Sequence, residues 1–232
     1  MAGDPALAEL YEAKAQTYAA FGNGAVAAHA QRLLPAGGRV LDVGCAAGGL
    51  LALLRARAGH LAGLELSATA ARAAAAVGDE IVCGALEDSR LPFVPDSFDL
   101  VVLADVLEHL ADPAAGLARA TAWCRPGGAV LVSVPNVAHW QARLTILRGR
   151  WPQHDSGTFD AGHLRWFTHD SLHALLTEAG LRDVELHAIV PMLRNHLRPA
   201  RLADRAELAW QALGRRAPGL LGYQVVGIGH RP

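Results

Sequence analysis

The stretch Val40-Leu-Asp-Val-Gly-Cys-Ala-Ala-Gly-Gly-Leu50, VLDVGCAAGGL, is an apolar run that stops on a glycine turn and restarts as an apolar helix. Glycine lets the backbone adopt positive φ and come close to a ligand, and the following helix N-terminus offers unpaired N–H groups. The result is a cradle of the nucleotide type. Its spacing, Gly44-x-x-x-Gly48-Gly49, departs from the GxGxxG of dinucleotide sites, and Asp42 stands two residues before the first glycine. That carboxylate would repel a pyrophosphate and hold an ammonium group.

Outward from the cradle, short runs rich in Val, Leu and Ile alternate with longer Ala/Leu/Arg segments: RVLDVG, GLLALLRARAG, HLAGLEL, SATAARAAAAV, EIVCG. Strands separated by helices in this rhythm predict parallel βαβ crossovers. Further strands are expected in FDLVVLA from Phe98, in GAVLVSVPN from Gly128, from Asp183 to Val190, and in YQVVGIGH. A helix from Pro113 to Cys124 is expected to stop at the Arg125-Pro-Gly-Gly128 turn, and Thr168 is expected to cap a helix through SLHALLTEAG. The second strand ends at Glu65, about twenty residues beyond the glycine turn, where doubly wound folds place an acid that hydrogen-bonds ribose hydroxyls. A helix-capping Glu-Leu-Ser junction is the plainer alternative for that acid.

The helical steps of Leu7, Leu10, Tyr11, Ala15, Tyr18 and Phe21 predict a helical preface over Asp4–Leu34, broken at Gly22-Asn-Gly24. The expected layout is one domain: a preface (1–36), a cofactor-binding core (37–135) and an acceptor-side half with insertions (136–232). The chain has 232 residues, 52% of them hydrophobic, enough to bury a full core. Its 21 basic and 22 acidic residues leave a net charge of −1, so no global field attracts nucleic acid or an anionic membrane, although local patches remain open. Three cysteines without CxxC spacing, Cys45, Cys83 and Cys124, indicate neither a disulfide framework nor a thiolate zinc site. With acids near its start and no run of about 18 uncharged apolar residues, the protein is expected to be cytoplasmic.

The ordered set VLDVGCAAGG, the acid in GLELS, VCGALEDSRLPFVPDSFDLVVLADVLEHLADP and RPGGAVLVSVPN resembles the class I S-adenosylmethionine (SAM)-dependent methyltransferases from about Gly38 to Gly180. The DVLEHL, SVPN and HLRWFT motifs resemble a bacterial subgroup of that class. The resemblance implies an α/β, Rossmann-like doubly wound sheet of seven strands, mostly parallel with an antiparallel last strand, and SAM across the carboxyl ends of the first strands. It implies cofactor contacts from Asp42, Gly44, Cys45, Gly48, Glu65, Leu66, Leu86, Glu87, Asp88 and Asp105. Two positions depart from the pattern. Ala46 replaces a common middle glycine, which is tolerable at negative φ. Ala85 replaces a common acid near the adenine.

In VVLADVLEHL a strand is expected to end near Ala104, at the sheet edge where ligands bind. If a helix begins there, Asp105, Glu108 and His109 stand at i, i+3 and i+4 on one face. Three readings compete. His109 or a neighbouring carboxylate takes a proton from the acceptor hydroxyl; the group holds a metal; or the acids cap a short helix. The metal reading follows from a resemblance to small-RNA 3′-terminal 2′-O-methyltransferases and coenzyme Q O-methyltransferases, whose acid-x-x-Glu-His motif binds a divalent ion. Asp105, Glu108 and His109 match that motif, and His163 in HLRWFT stands where a further ligand would be.

Asn136, His139, His163 and Arg165 are candidates for acceptor contacts, with Glu108, His109, Asn136 and His163 as the catalytic set. Trp140, Trp151 and Trp166 are candidates for stacking, core packing being the alternative. His154 and Asp155 read as a solvated pair. Leu202, Ala206, Ala209 and Leu213 predict a weak apolar stripe with Arg201, Arg205 and Arg215 on its flank. The expected reaction is methylation, at oxygen, of a small polar, glycosidic or secondary-metabolite acceptor by a monomer or homodimer, without membrane or nucleic-acid partners. A SAM-binding accessory protein and a metal-dependent RNA-terminus 2′-O-methyltransferase are the alternatives.

Overall fold

The computed structural model describes Glu12, residues 24–191 and residues 200–232, the side chains of 200–206 excepted. Most of the expected preface therefore lies outside the described residues, as do the side chains of Arg201, Leu202, Arg205 and Ala206. What is described of the preface ends in helix α1 (Gly24–Leu33). Then follow β1 (Gly38–Val43), α2 (Gly49–Leu54), β2 (Ala58–Glu65), α3 (Ala68–Ala74), β3 (Glu80–Cys83), β4 (Phe98–Ala104) and α4 (Pro113–Trp123). The second half holds β5 (Cys124–Pro135), α5 (Trp140–Leu147), α6 (His169–Glu178), β6 (Arg182–Ile189), α7 (Ala200–Arg216), α8 (Pro218–Leu221) and β7 (Gln224–His230).

The seven strands form one sheet in the order β3-β2-β1-β4-β5-β7-β6. β7 runs antiparallel to both its neighbours, and the other pairs are parallel. This is the expected architecture. Side chains alternate across a strand, so Leu41, Val43, Val101, Leu103, Val130 and Val132 face a core shared with Leu117 of α4 and Leu172 and Leu176 of α6. Val40, Leu100, Val102 and Leu131 face the opposite core, with Val26 and Ala30 of α1 and Leu51 and Leu54 of α2. Both faces are covered, which is why the central strands read as continuous apolar runs.

Two expectations about boundaries change. β5 begins at Cys124, paired with Phe98, and the Pro-Gly-Gly step becomes an irregularity inside the strand, with Gly127 at φ 73. Of the stripe expected on α7, Ala209 and Leu213 are exposed, whereas Gly214 is buried and Trp210 donates to the Pro191 carbonyl at 2.9 Å. The Thr168 cap forms as expected, with Ser171 completing a capping box. The three cysteines are unpaired.

Candidate active site

Parallel strands β1, β2 and β4 end together, so the loops after Val43, Glu65 and Ala104 share one edge of the sheet. Gly44 and Gly48 take left-handed conformations, φ 75 and 83, and a Cβ on Gly44 would lie 2.7 Å from Val106 Cγ2. The Gly44 and Cys45 N–H groups both donate to the Leu64 carbonyl, binding this loop to the second strand. Ala46 lies at φ 46 rather than at the negative angle expected of alanine. Glu65 accounts for this: its Oε2 accepts the Ala46 N–H at 2.8 Å and its Oε1 the Ser67 N–H at 2.8 Å. The acid thus pulls the glycine loop over itself.

Asp42, 2% exposed, shares this pocket with Glu65, also buried. Burial, reinforced by the nearby Glu65, pushes the Asp42 carboxyl up to about 8. Burial also raises Glu65, partly offset by the N–H groups of Ser67 and Ala46. Among the described residues no basic side chain pairs with either of these buried acids, an arrangement that could hold a cation. Cys45 is buried beneath the loop. Glu12, from the preface, accepts from Ser67 Oγ at 2.6 Å. Of the residues expected near the adenine, Leu86 is buried in the core and Glu87 is exposed, whereas Asp88 accepts the Ala85 N–H at 3.0 Å and so closes its own turn. Leu66 is half-buried.

VVLADVLEHL does not continue as an α-helix. Asp105 takes φ 56, turning the chain out of the strand, and only a 3₁₀ turn, Leu107–His109, follows. Asp105 therefore parts from the other two. It is exposed, and its Oδ1 accepts from Gln224 Nε2 at 2.5 Å and Ser133 Oγ at 3.4 Å. Surrounding protein raises its pKa, and those two hydrogen bonds oppose the rise. Glu108 is 1% exposed, and among the described residues no other residue donates a hydrogen bond to either carboxylate oxygen. Burial, then the charges of Asp105 and Asp160, hold its carboxyl well above the usual range. Neither acid caps the turn, which excludes the helix-cap reading.

The long loop after α5 brings His163 to this place. The N–H groups of Leu164 and Arg165 donate to the Glu108 carbonyl at 2.8 and 3.0 Å, and the His109 and His163 rings lie 4.8 Å apart, edge to face. One ligand atom from each of Glu108, His109 and His163 lies within 4.8 Å of the other two. His109 Nδ1 meets the Gly162 carbonyl at 3.0 Å and His163 Nδ1 the Thr158 carbonyl at 3.3 Å. A carbonyl only accepts, so each Nδ1 donates there, which in a neutral imidazole puts the lone pair on Nε2.

Asn136, expected among the catalytic residues, is committed elsewhere. Its amide donates to the carbonyls of Gly219 and Gly222, and its oxygen accepts the Ala138 N–H, so it ties β5 to the turn before β7. His139 is buried, with Nε2 unpartnered and its pKa lowered by burial. Trp151 packs edge-on against both Phe159 and Trp166 at 5.0 Å. His154 and Asp155 are exposed, as expected of a solvated pair. Arg165 and Trp166 line a cleft of about 470 Å³ together with Asp112, Pro113, Phe167 and Leu175. Two residues at this edge had no warning in the sequence: Gln224, and Tyr223, whose phenol is raised by burial and by the charges of Asp105 and Glu108. Only the insertion of β7 between β5 and β6 delivers them.

A family model described as Methyltransferase domain matches residues 18–186. The ubiquinone biosynthesis O-methyltransferase of Xylella fastidiosa is 30% identical over 199 residues, 78% of this chain and 75% of that protein. The protein of the same name from Xanthomonas axonopodis pv. citri is 36% identical over 113 residues, 45% of this chain. Against the first three such relatives the chain spans 46%, 43% and 44% of their length. Among solved structures, a SAM-dependent methyltransferase of Thermotoga maritima superposes with a TM-score of 0.69 at 18% identity, covering 97% of this chain and 99% of that one. Haemonchus contortus phosphoethanolamine N-methyltransferase 2, solved with SAM, gives 0.59 at 18% identity over 90% of this chain and 53% of that one. No helix among the described residues is long and apolar enough to cross a membrane.

Proposed function

This chain belongs to the class I SAM-dependent methyltransferases, and on that premise we propose that it transfers the methyl group of SAM to a hydroxyl oxygen of a small acceptor, with a divalent ion held by Glu108, His109 and His163. The observation that carries the reading is the Glu108 carboxylate. It is buried with no hydrogen bond from another described residue, beside two imidazoles whose Nδ1 atoms donate to backbone carbonyls. A buried unpaired carboxylate is costly unless something else neutralises it. One carboxylate and two imidazoles suit Mg²⁺ or Mn²⁺, and such an ion lowers the pKa of a hydroxyl bound to it.

The remaining roles follow from placement. Asp42 attracts the ammonium group of the cofactor and Glu65 holds the ribose, while Gly44 and Gly48 admit the methionine part of the cofactor to the backbone. Methyl transfer from a sulfonium needs the acceptor oxygen in line with the S–CH₃ bond, and positioning supplies much of the acceleration. Glu108, His109 and His163 orient that oxygen, Asp105 and Tyr223 border it, and the cleft beside Arg165 and Trp166 receives the body of the acceptor. The names of the curated relatives support oxygen as the methylated atom.

The test has two arms. Calorimetry with Mn²⁺ on metal-stripped protein should show binding that Glu108→Ala removes; absence of binding sinks the metal part. A screen with labelled SAM across phenols, sugars and RNA ends, with and without chelator, should find a chelator-sensitive hydroxyl acceptor. Transfer to nitrogen acceptors alone would overturn the O-directed reading.

A further inference from the structure

Between helix α1 and the last two strands lies a second cleft, of about 270 Å³. Its floor is Glu185 and His187 of β6 with Ile228 and His230 of β7, and its wall carries His29 and Arg32 of α1. Glu185 pairs with Ile228, and paired residues share a face with those two positions along. Glu185, His187 and His230 therefore stand on the side where Ile228 packs with Val26 and Ala30 of α1. His230 ends β7, about 20 Å along the strand from Gln224. The cleft is separate from the candidate active site.

Its polar groups are basic with one exception. Among the described residues Arg32 forms no ion pair; its Nη2 donates to His29 Nδ1 at 2.6 Å. That nitrogen supplies the lone pair, so in the neutral ring the proton is on Nε2, where no described residue accepts it. The His29 and His187 rings lie 4.6 Å apart. Burial, then the charges of His187 and Arg32, push the His29 pKa down to about 4, the mark of a ring set among unanswered positive charge. Glu185 is the one acid, 3.4 Å from His187 Nε2, and at 70% exposure it offsets little of that charge. We propose that this cleft binds a phosphate group, free or as the monoester of a soluble small molecule, with Arg32 and the His29 N–H as donors and His187 and His230 beside it.

The chemistry selects this ligand over two others. Three imidazoles suit a transition metal, but the Arg32 bond occupies a His29 lone pair and sets a guanidinium against any cation. Among the described residues only Glu108, His109 and His163 gather three ligand atoms. A carboxylate would satisfy the guanidinium alone. A phosphate carries more charge and more acceptor oxygens, so it engages guanidinium and imidazole together. The small volume limits the rest of the ligand to a short organic body. SAM has no phosphate, and a ligand here would clip α1 to the edge strand β6 without touching the cofactor loops.

Calorimetry of the full chain saturated with SAM, titrated with inorganic phosphate or with glycerol 3-phosphate at constant ionic strength, tests this. A single site should appear. Arg32→Gln should weaken it about tenfold or more, the scale of a hydrogen bond to a charged group. Glu185→Gln should tighten it about twofold to fourfold by removing the neighbouring negative charge. Arg148→Gln, the same change of charge at an exposed position elsewhere, should leave it unchanged, and thermal melting verifies that the variants remain folded. Tighter binding of the ester assigns the site to a phosphorylated small molecule, and tighter binding of inorganic phosphate assigns it to the free ion. No heat with either ligand, equal weakening by Arg32→Gln and Arg148→Gln, or weakening by Glu185→Gln overturns the proposal.

Discussion

The Glu65 carboxylate bridges two chain segments, accepting the Ala46 N–H through one oxygen and the Ser67 N–H through the other, both at 2.8 Å. The residue expected to hold the cofactor ribose therefore also shapes the loop over it. Glu65→Ala should weaken SAM binding by about tenfold to a hundredfold, on the scale of charged hydrogen bonds, and lower the melting temperature as well. Unchanged affinity by calorimetry would relocate the cofactor site.

Ala46 gives a stability prediction of the opposite sign. At φ 46 its Cβ is strained, by about 1 kcal/mol. Ala46→Gly should relieve that strain and raise the melting temperature by about 2–4 °C. An unchanged or lower value in a thermal melt would show that the loop is not strained.

The Asp42 carboxyl, pushed up to about 8 by burial and Glu65, is largely protonated at neutral pH in the free protein. Binding of the cationic cofactor favours its ionised form, so association should release protons and tighten as pH rises from 6 to 8. Calorimetry in buffers of different ionisation enthalpy would detect the release. Asp42→Asn should abolish this pH dependence while weakening binding.

Glu108 makes a stability prediction that depends on pH. Its folded pKa lies above the unfolded value, so the unfolded state holds fewer protons over the window between them. Stability is greatest below the unfolded pKa and falls as pH rises toward the folded one. Glu108→Gln should therefore stabilise the metal-free protein at pH 8, on the order of 1–2 kcal/mol, with no advantage near pH 4. Mn²⁺ should protect the wild type from denaturant and leave Glu108→Gln unaffected; equal protection of both would remove Glu108 from the ligand set.

Local pattern carried much of this site. The glycine turn, Glu65 at a strand end and the end of β4 at Ala104 were legible because each depends on a few consecutive residues and on the edge where parallel strands stop. The juxtaposition of His163 with Glu108 and His109 came from resemblance, not from spacing. The helical face expected for Asp105, Glu108 and His109 failed because Asp105 adopts a left-handed φ, a conformation no periodicity reveals. Asn136 looked chemical because a polar residue after a strand so often is, yet burial assigned it to the backbone of a distant turn. Gln224, which reaches Asp105 across 119 residues, was invisible because nothing near either residue records the other.

The position of β7 has a consequence for synthesis of the chain. Among the described residues β6 has no sheet neighbour other than β7, and β7 is made after it. While residues 224–230 are still inside the ribosome, β5 is a bare edge, β6 has nothing to pair with, and Asp105 lacks its Gln224 partner. The first five strands can pair as they emerge, but the acceptor half must wait. Through that interval a nascent-chain chaperone would find an open strand edge in an otherwise formed cofactor fold.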